Sequence, residues 1–270
     1  MTDKDREKII KNNEWWKERE ARAREKLSNK AAKKINDQMR KYYKTAMNNT
    51  INSFSDTYIH ILDSLEDGRE PTPADLYKLD TYWQMQGQLQ GELQKLNAKQ
   101  VKLLSENFRL NFFDVYHSIA LEGLETFNTI DTNVVEQLIN AIWCSDGKTW
   151  SSRIWDNTTQ LAETLNEELI NCLTTGKKTT ELKKILQDRF SVSYGRADTL
   201  VRTELAHIQT EAAKKRYEDY GIKRVQIWAD ADERRCETCG DLHEKYYVLG
   251  EAIPIPAHPK CRCCIVPVVE

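Results

Sequence analysis

The residue types able to do chemistry gather in one stretch. Cys236 and Cys239 stand with two residues between them, and so do His258 and Cys261, with Cys263 and Cys264 close behind. Eighteen residues, 240 to 257, separate the pairs, with a tyrosine pair at 246–247 and prolines at 254, 256 and, inside the second pair, 259. Four soft or borderline donors, two from each of two short knuckles, are what a tetrahedral zinc ion asks for. The candidate ligands are Cys236, Cys239, His258, Cys261 and Cys263, four of the five, with Cys263 the alternate. A structural zinc ranks ahead of unmetallated thiols and of disulfides. Disulfides need an oxidising compartment, whereas this sequence opens on Met-Thr-Asp-Lys-Asp-Arg without an apolar leader and is expected in the cytosol. A catalytic zinc is less favoured, because such a site keeps a position open for water. Here donors are in excess, with Cys263 and His243 to spare. A zinc-knuckle nuclease would also need a metal-binding helix after the second knuckle. Only six residues follow Cys264, Pro267 among them.

The elements that must position these residues are mostly helical. At 270 residues, 40% hydrophobic and 30% charged with few glycines and prolines, the chain has a helix-rich profile. Its net charge of −2 hides an asymmetry: residues 1–44 hold 15 Lys/Arg and 8 Asp/Glu, so the remainder carries the acidity. A basic arm on an acidic body points to nucleic acid or an acidic partner, although charges interleaved as in Glu18-Arg19-Glu20-Ala21-Arg22 also describe a solvated helix. Residues 4–48 are expected as one helix or two. Their apolar positions (Ile9, Ile10, Trp15, Trp16, Leu27, Ile35, Met39, Tyr42, Tyr43) form too narrow a stripe to fold alone, so this arm must dock, on this chain or on another. A further helix is expected over about 50–66. Thr72-Pro73-Ala74-Asp75 starts another, running to about Phe127 along a coiled-coil-like ridge from Leu79 through Leu103 to Leu110, with a break near Gly87 and Gly91 allowed. Asp131 opens a helix ended by Ser145-Asp146-Gly147. Others are expected from Trp150 to Leu173, from Thr179 or Thr180 to Phe190, and from about Gly195 to Gly221.

Arg202 and Glu204, two apart, cannot face each other on one helix, so each is expected to find a partner outside it and dock the helix against the metal module. His207 reads as an ordinary core or surface histidine. After Gly221 the period changes from helical to alternating. Strands are expected over 222–229, 246–249 and 264–269, the last held to an edge by Pro267. So small a sheet needs a metal or the preceding helices to hold it. The fold class is α+β, mostly α. An extended helical region, 1–130, precedes a helical part, 131–221, and a small zinc-knuckle β module, 222–270.

From Trp155 and its leucine helix, through Gly176, Arg202-Thr203-Glu204, Gly221, Trp228 and Cys236-x-x-Cys239 to His258-Pro-Lys-Cys261-Arg-Cys263, the chain resembles the phage head-morphogenesis family, the Mu F-like minor head proteins. The resemblance implies a non-enzymatic minor head (capsid) protein of a tailed phage, with structural Zn2+. Such a protein acts in procapsid assembly and DNA packaging or delivery, with portal and capsid or scaffold proteins as partners. It implies a place in the virion, in the head interior near the portal, and in the host cytoplasm during assembly. Residues 1–44 would touch DNA nonspecifically, and the helical arm could support oligomers; no membrane association is expected. The alternatives are a metal-dependent nuclease or toxin-like hydrolase, and a DNA-binding accessory factor using the arm. One departure stands out: the glycine turn usual after the first knuckle is replaced by Leu242-His243-Glu244-Lys245, so that His243 could approach the metal. Some relatives carry an ADP-ribosyltransferase or toxin domain after this module, and this sequence ends at Glu270.

Overall fold

The structure, a computed structural model, describes residues 3–63, 70–119, 129–229 and 235–268, with side chains from Lys17 onward. Elements run in the order α1 Asp3–Asp63, α2 Pro73–Leu76, α3 Asp80–Ser118, α4 Thr132–Ile139, α5 Trp150–Thr174, α6 Thr179–Asp219, β1 Arg224–Trp228, α7 Glu237–Leu242, β2 Tyr246–Val248 and β3 Cys264–Val268. The chain is α+β and mostly α. It divides into two compact units, residues 1–35, 105–142 and 199–270 in the first and 36–104 and 143–198 in the second.

Two expected helix breaks are absent. Helix α1 runs through Asn48-Asn49-Thr50, and α6 runs through Ser191 to Gly195. Neither stretch contains proline, and each carries buried anchors that reward continuity: Ala46, Thr50 and Ile51 in the first, Phe190, Ser193 and Ala197 in the second. A mid-helix glycine such as Gly195 costs only about 1 kcal/mol relative to alanine, which these anchors outweigh. The same holds at Gly87 and Gly91, which α3 crosses between buried Met85, Leu89 and Leu93.

One break appears where continuity was expected. Thr72 caps α2 in a capping box with Asp75, but the helix stops at Leu76 and restarts at Asp80. Tertiary packing makes the kink. Leu76 is fully buried, the Trp83 indole N–H donates to the Tyr77 carbonyl at 2.9 Å, and Tyr82 stacks edge-on against both aromatics. The expected end near Phe127 lies outside the described residues. The ridge also drifts. Tyr82, Leu89, Leu93 and Leu96 are buried as expected, as is Gln100 on the same ridge, yet Leu110 is exposed and the buried face continues through Leu104, Phe108 and Asn111. A straight helix at 3.6 residues per turn slips by about 20° per heptad, so a seven-residue seam rotates out of the core after a few turns. Asp131 caps α4 as read, but that helix ends at Ile139, leaving Ile142 exposed beyond it.

In the second unit the helices are tied by buried hydroxyls and amides. Tyr43 meets Ser193 at 3.3 Å, Asn157 donates to Tyr43 and to the Ser193 carbonyl, and Tyr58 reaches the Cys172 carbonyl at 3.2 Å. These bonds satisfy polar groups inside an apolar bundle, where an unmade bond costs more than a made one contributes.

In the first unit the sheet has the order β2-β1-β3, antiparallel throughout, with Val225 opposite both Tyr247 and Pro267 and Trp228 opposite Cys264. Pro267 sits on an edge strand, as its missing N–H requires. The outer edge of β3 is covered by α1. Ala21 packs with Cys264 and Val266, and Trp228 leans on that cluster. Arg24, 2% exposed, donates to the Glu20 carboxylate at 3.0 and 3.1 Å, to the Ile265 carbonyl and to the Tyr217 hydroxyl on α6. Lys17 donates to Gln226 Oε1 at 2.6 Å, and the same amide donates to the Glu244 carbonyl at 2.8 Å. The arm therefore docks on this chain: a strand edge that would otherwise invite foreign pairing is closed by a helix and a guanidinium fork. Ile9, Ile10, Trp15 and Trp16 lie outside the described side chains.

Candidate metal centre

The residues between the two knuckles fold in two ways. Cys236 is the N-cap of α7, its sulfur accepting from the Cys239 N–H at 3.4 Å. The first knuckle is thus a helical turn rather than a hairpin, and it brings Cys239 inward, 5% exposed, while Cys236 stays at the surface. The second knuckle turns at Lys260, which adopts φ +61, a left-handed conformation uncommon for a residue with a Cβ. Its N–H donates to Thr203 Oγ1 on α6 at 3.1 Å, which holds the turn against that helix. The Arg202-Thr203-Glu204 segment meets the module at Thr203. Arg202 lines the same crevice as the second knuckle, and Glu204 is 1% exposed.

All five expected ligands are brought together. Cys236, Cys239 and His258 form one group and Cys239, Cys261 and Cys263 another, with donor atoms in each group within 4.8 Å of one another. Cys239 belongs to both. His258 Nε2 lies 3.1 Å from Cys239 Sγ and 3.3 Å from Cys236 Sγ, and Cys239 and Cys261 sulfurs are 3.8 Å apart. A tetrahedral ion with metal–sulfur bonds of about 2.3 Å spaces its sulfurs about 3.8 Å apart and a sulfur and a nitrogen about 3.6 Å apart. The sulfur pair has that spacing, and the histidine pairs are shorter by a few tenths. The sulfurs are too far apart for a disulfide, whose bond is about 2.05 Å, and all seven cysteines are free.

Surrounding groups prepare these donors. The Pro259 carbonyl lies 2.9 Å from His258 Nδ1, so that nitrogen carries the proton and Nε2 turns its lone pair toward the sulfurs. The same bond raises the His258 pKa above its ordinary value, against the opposing effect of burial. Burial pushes the Cys239 thiol up to about 12. The Cys263 thiol, by donating to Cys261, lowers the latter to about 5 and is itself raised. The Cys239 N–H bond lowers Cys236. An ion bound among these thiols would release protons. A Cys/His set with this spacing could hold a metal.

His243 takes no part in either group. Its Nδ1 accepts from the Ala229 N–H at 3.2 Å and its ring stands edge-on to Trp228, centroids 4.9 Å apart. The turn after the first knuckle passes through Glu244 at φ +63, a left-handed conformation that carries a cost in backbone strain. His207 is 6% exposed inside the first unit and is no surface base. Burial, with the nearby Lys214 charge adding to it, lowers its pKa from 6.5 to about 3. The unfolded chain therefore binds a proton that the folded chain refuses. Stability contributed here is complete above pH 6.5 and is lost as pH falls toward 3. Denaturant midpoints measured across that interval should fall with pH in the wild type, and less steeply in His207→Met. The second knuckle leads into β3 rather than into a helix.

With this geometry in view, the comparisons are specific. Residues 163–266 match the family described as Phage Mu protein F like protein. That likeness covers about two-fifths of the chain. It runs from the middle of α5 through α6 and the sheet, and it contains both knuckles. A relative, the NAD(+)--arginine ADP-ribosyltransferase EFV of Enterococcus faecalis (strain ATCC 700802 / V583), is 26% identical over 159 residues. That match covers 52% of this chain and 32% of the relative, so the chain spans about a third of the relative's length. No solved structure matches the chain. Among the described residues no helix is long and apolar enough to cross a membrane.

Proposed function

We propose that this chain is a minor head protein of a tailed phage, incorporated during procapsid assembly and acting in DNA packaging or delivery through contact with the portal. The observation that carries the proposal is the coincidence of the Mu F-like segment with a closed Cys/His cluster fastened to α6 through Thr203 and Lys260. A structural Zn2+ held by Cys236, Cys239, His258 and Cys261 suits the donor set. Cys263 is the alternate ligand, donating meanwhile to the Cys261 sulfur. The ion would supply folding energy to a sheet too small to stand alone, and the role is adhesive rather than catalytic. We keep the division into a helical region (1–130), a helical part (131–221) and the metal module (222–270) as a functional one, although Lys17, Ala21 and Arg24 of the first part are built against the third.

Nonspecific DNA contact by residues 1–44 belongs to the same proposal. Since Lys17 and Arg24 are committed inside the fold, phosphates would be met by exposed Arg19, Arg22, Lys26, Lys30, Lys33 and Lys34, with strong salt dependence. Co-expression with the cognate portal and capsid proteins, followed by isolation of procapsids, tests the role. The chain should sediment with portal-containing procapsids at a few copies per particle. Its absence from both procapsids and mature particles would end the proposal.

A further inference from the structure

The donor cluster holds more sulfur than one tetrahedral ion uses, and the surplus has a geometry of its own. Cys239, Cys261 and Cys263 make a group of three sulfurs within 4.8 Å of one another, to which neither Cys236 nor His258 belongs. The Cys239 and Cys261 sulfurs are 3.8 Å apart, a spacing at which two thiolates can share one ion. All three side chains are buried, whereas Cys236 stands at the surface and His258 is half-buried. The zinc set and this group therefore share Cys239 and Cys261 and differ in their remaining members. Their chemistry differs too. Zinc takes four donors in a tetrahedron and accepts imidazole readily. Three thiolates alone, shielded from water, suit a softer ion of lower charge and lower coordination number.

We propose that Cys239, Cys261 and Cys263 form a second metal site, an all-sulfur site for the soft monovalent ion copper(I), exclusive of zinc because the two ions share ligands. It rests on the zinc reading for what copper displaces, and on the three sulfurs alone for what holds the copper. The exchange transfers no electron: copper arrives and stays monovalent, zinc leaves as the divalent ion, and Cys263 gives its thiol proton to solvent on becoming a ligand. Cys239 comes from the first knuckle and Cys261 and Cys263 from the second, so the copper form still joins the two. What changes lies at the surface. His258 and Cys236, the N-cap of α7, are released, and an exposed thiol held by zinc becomes reactive under copper.

The test is anaerobic titration of the zinc-loaded full chain with copper(I) buffered by bicinchoninate, with released zinc read by a chromogenic chelator. An equimolar amount of copper should release the zinc, and X-ray absorption at the copper edge should show sulfur ligands without nitrogen. Alkylation mapped by mass spectrometry should reach Cys236 in the copper form and be blocked in the zinc form. Cys263→Ser should weaken copper(I) binding by more than about a hundredfold, beyond the loss caused by removing a group that merely supports a ligand. His258→Ala and Cys236→Ser should leave copper affinity unchanged, and they answer the question even if Cys263→Ser fails to fold. Cys144→Ser, outside both groups, should titrate as wild type. Retention of zinc under excess copper(I), nitrogen in the copper shell, or equal weakening by Cys236→Ser and Cys263→Ser would overturn the proposal. Chain purified without zinc that still takes copper on three sulfurs would end the zinc reading and leave this site standing.

Discussion

Cys239→Ser should leave the chain without bound metal and the 222–268 module unfolded. Cys239 is the one donor common to both ligand groups, and it is nearly fully buried. Structural zinc sites of this class contribute about 10–16 kcal/mol of binding free energy at neutral pH, which is folding free energy where no site exists in the unfolded state. The sheet has three strands of 3 to 5 residues and cannot replace that contribution by burial. Amide exchange should report the loss: protection across β1 and β3 should disappear in Cys239→Ser while amides of α5 in the second unit remain protected. Cys263→Ser is the contrasting variant, expected to keep its metal with affinity weakened roughly 10–100-fold, as for groups that support a ligand. Cys144→Ser, outside both groups, should behave as wild type. Protected strands in metal-free Cys239→Ser would show that the helices alone hold the module.

Arg24→Ala is the second large effect, at about 3–5 kcal/mol, the usual loss when one partner of a buried ionic network is removed. The substitution strands the Glu20 carboxylate, 12% exposed, and deprives the Ile265 carbonyl of its charged donor at the edge of β3. Arg24→Lys should recover little, because an ammonium cannot fork to three acceptors around a bend. Burial also pushes the Tyr217 hydroxyl well above its ordinary pKa, so it remains a neutral donor to the Ile265 carbonyl at 3.3 Å and cannot supply the missing charge. Urea unfolding should show a lowered midpoint with an unchanged slope. A shift worth under about 1 kcal/mol would place this pair among ordinary surface ion pairs. The functional consequence is direct: without Arg24 the basic helix is held to the metal module only by Lys17, Ala21 and Glu25, and the joint between the two loosens.

The cluster was legible because spacing alone carries it: two residues between Cys236 and Cys239, two between His258 and Cys261. The strands were legible from the change of period after Gly221, whose φ of +72 is the helix-ending conformation expected there. Thr72 and Asp131 declared themselves as caps by their side-chain chemistry. What stayed hidden was long-range. Arg24 and Glu20 stand four apart in a field of alternating charge and look like any solvated pair; only the approach of β3, 241 residues away, makes them a buried network. Thr203 is unremarkable beside two charges until the Lys260 N–H reaches it. The kink at Tyr77 comes from an aromatic cluster, and the uninterrupted courses of α1 and α6 come from the buried anchors that each helix carries. In each case tertiary packing outweighed local propensity. His243 was misjudged as a spare ligand for the same reason: its partner, the Ala229 N–H, is a backbone group whose position only the folded sheet defines.

The central claim is that an ion joins the two knuckles. It is tested most directly by X-ray absorption at the zinc edge, with metal content determined on the same freshly purified, folded chain. The account predicts one zinc per chain in a shell of three sulfurs near about 2.3 Å and one nitrogen near about 2.0 Å. Folded protein free of metal, or a shell of oxygen and nitrogen without sulfur, would contradict it.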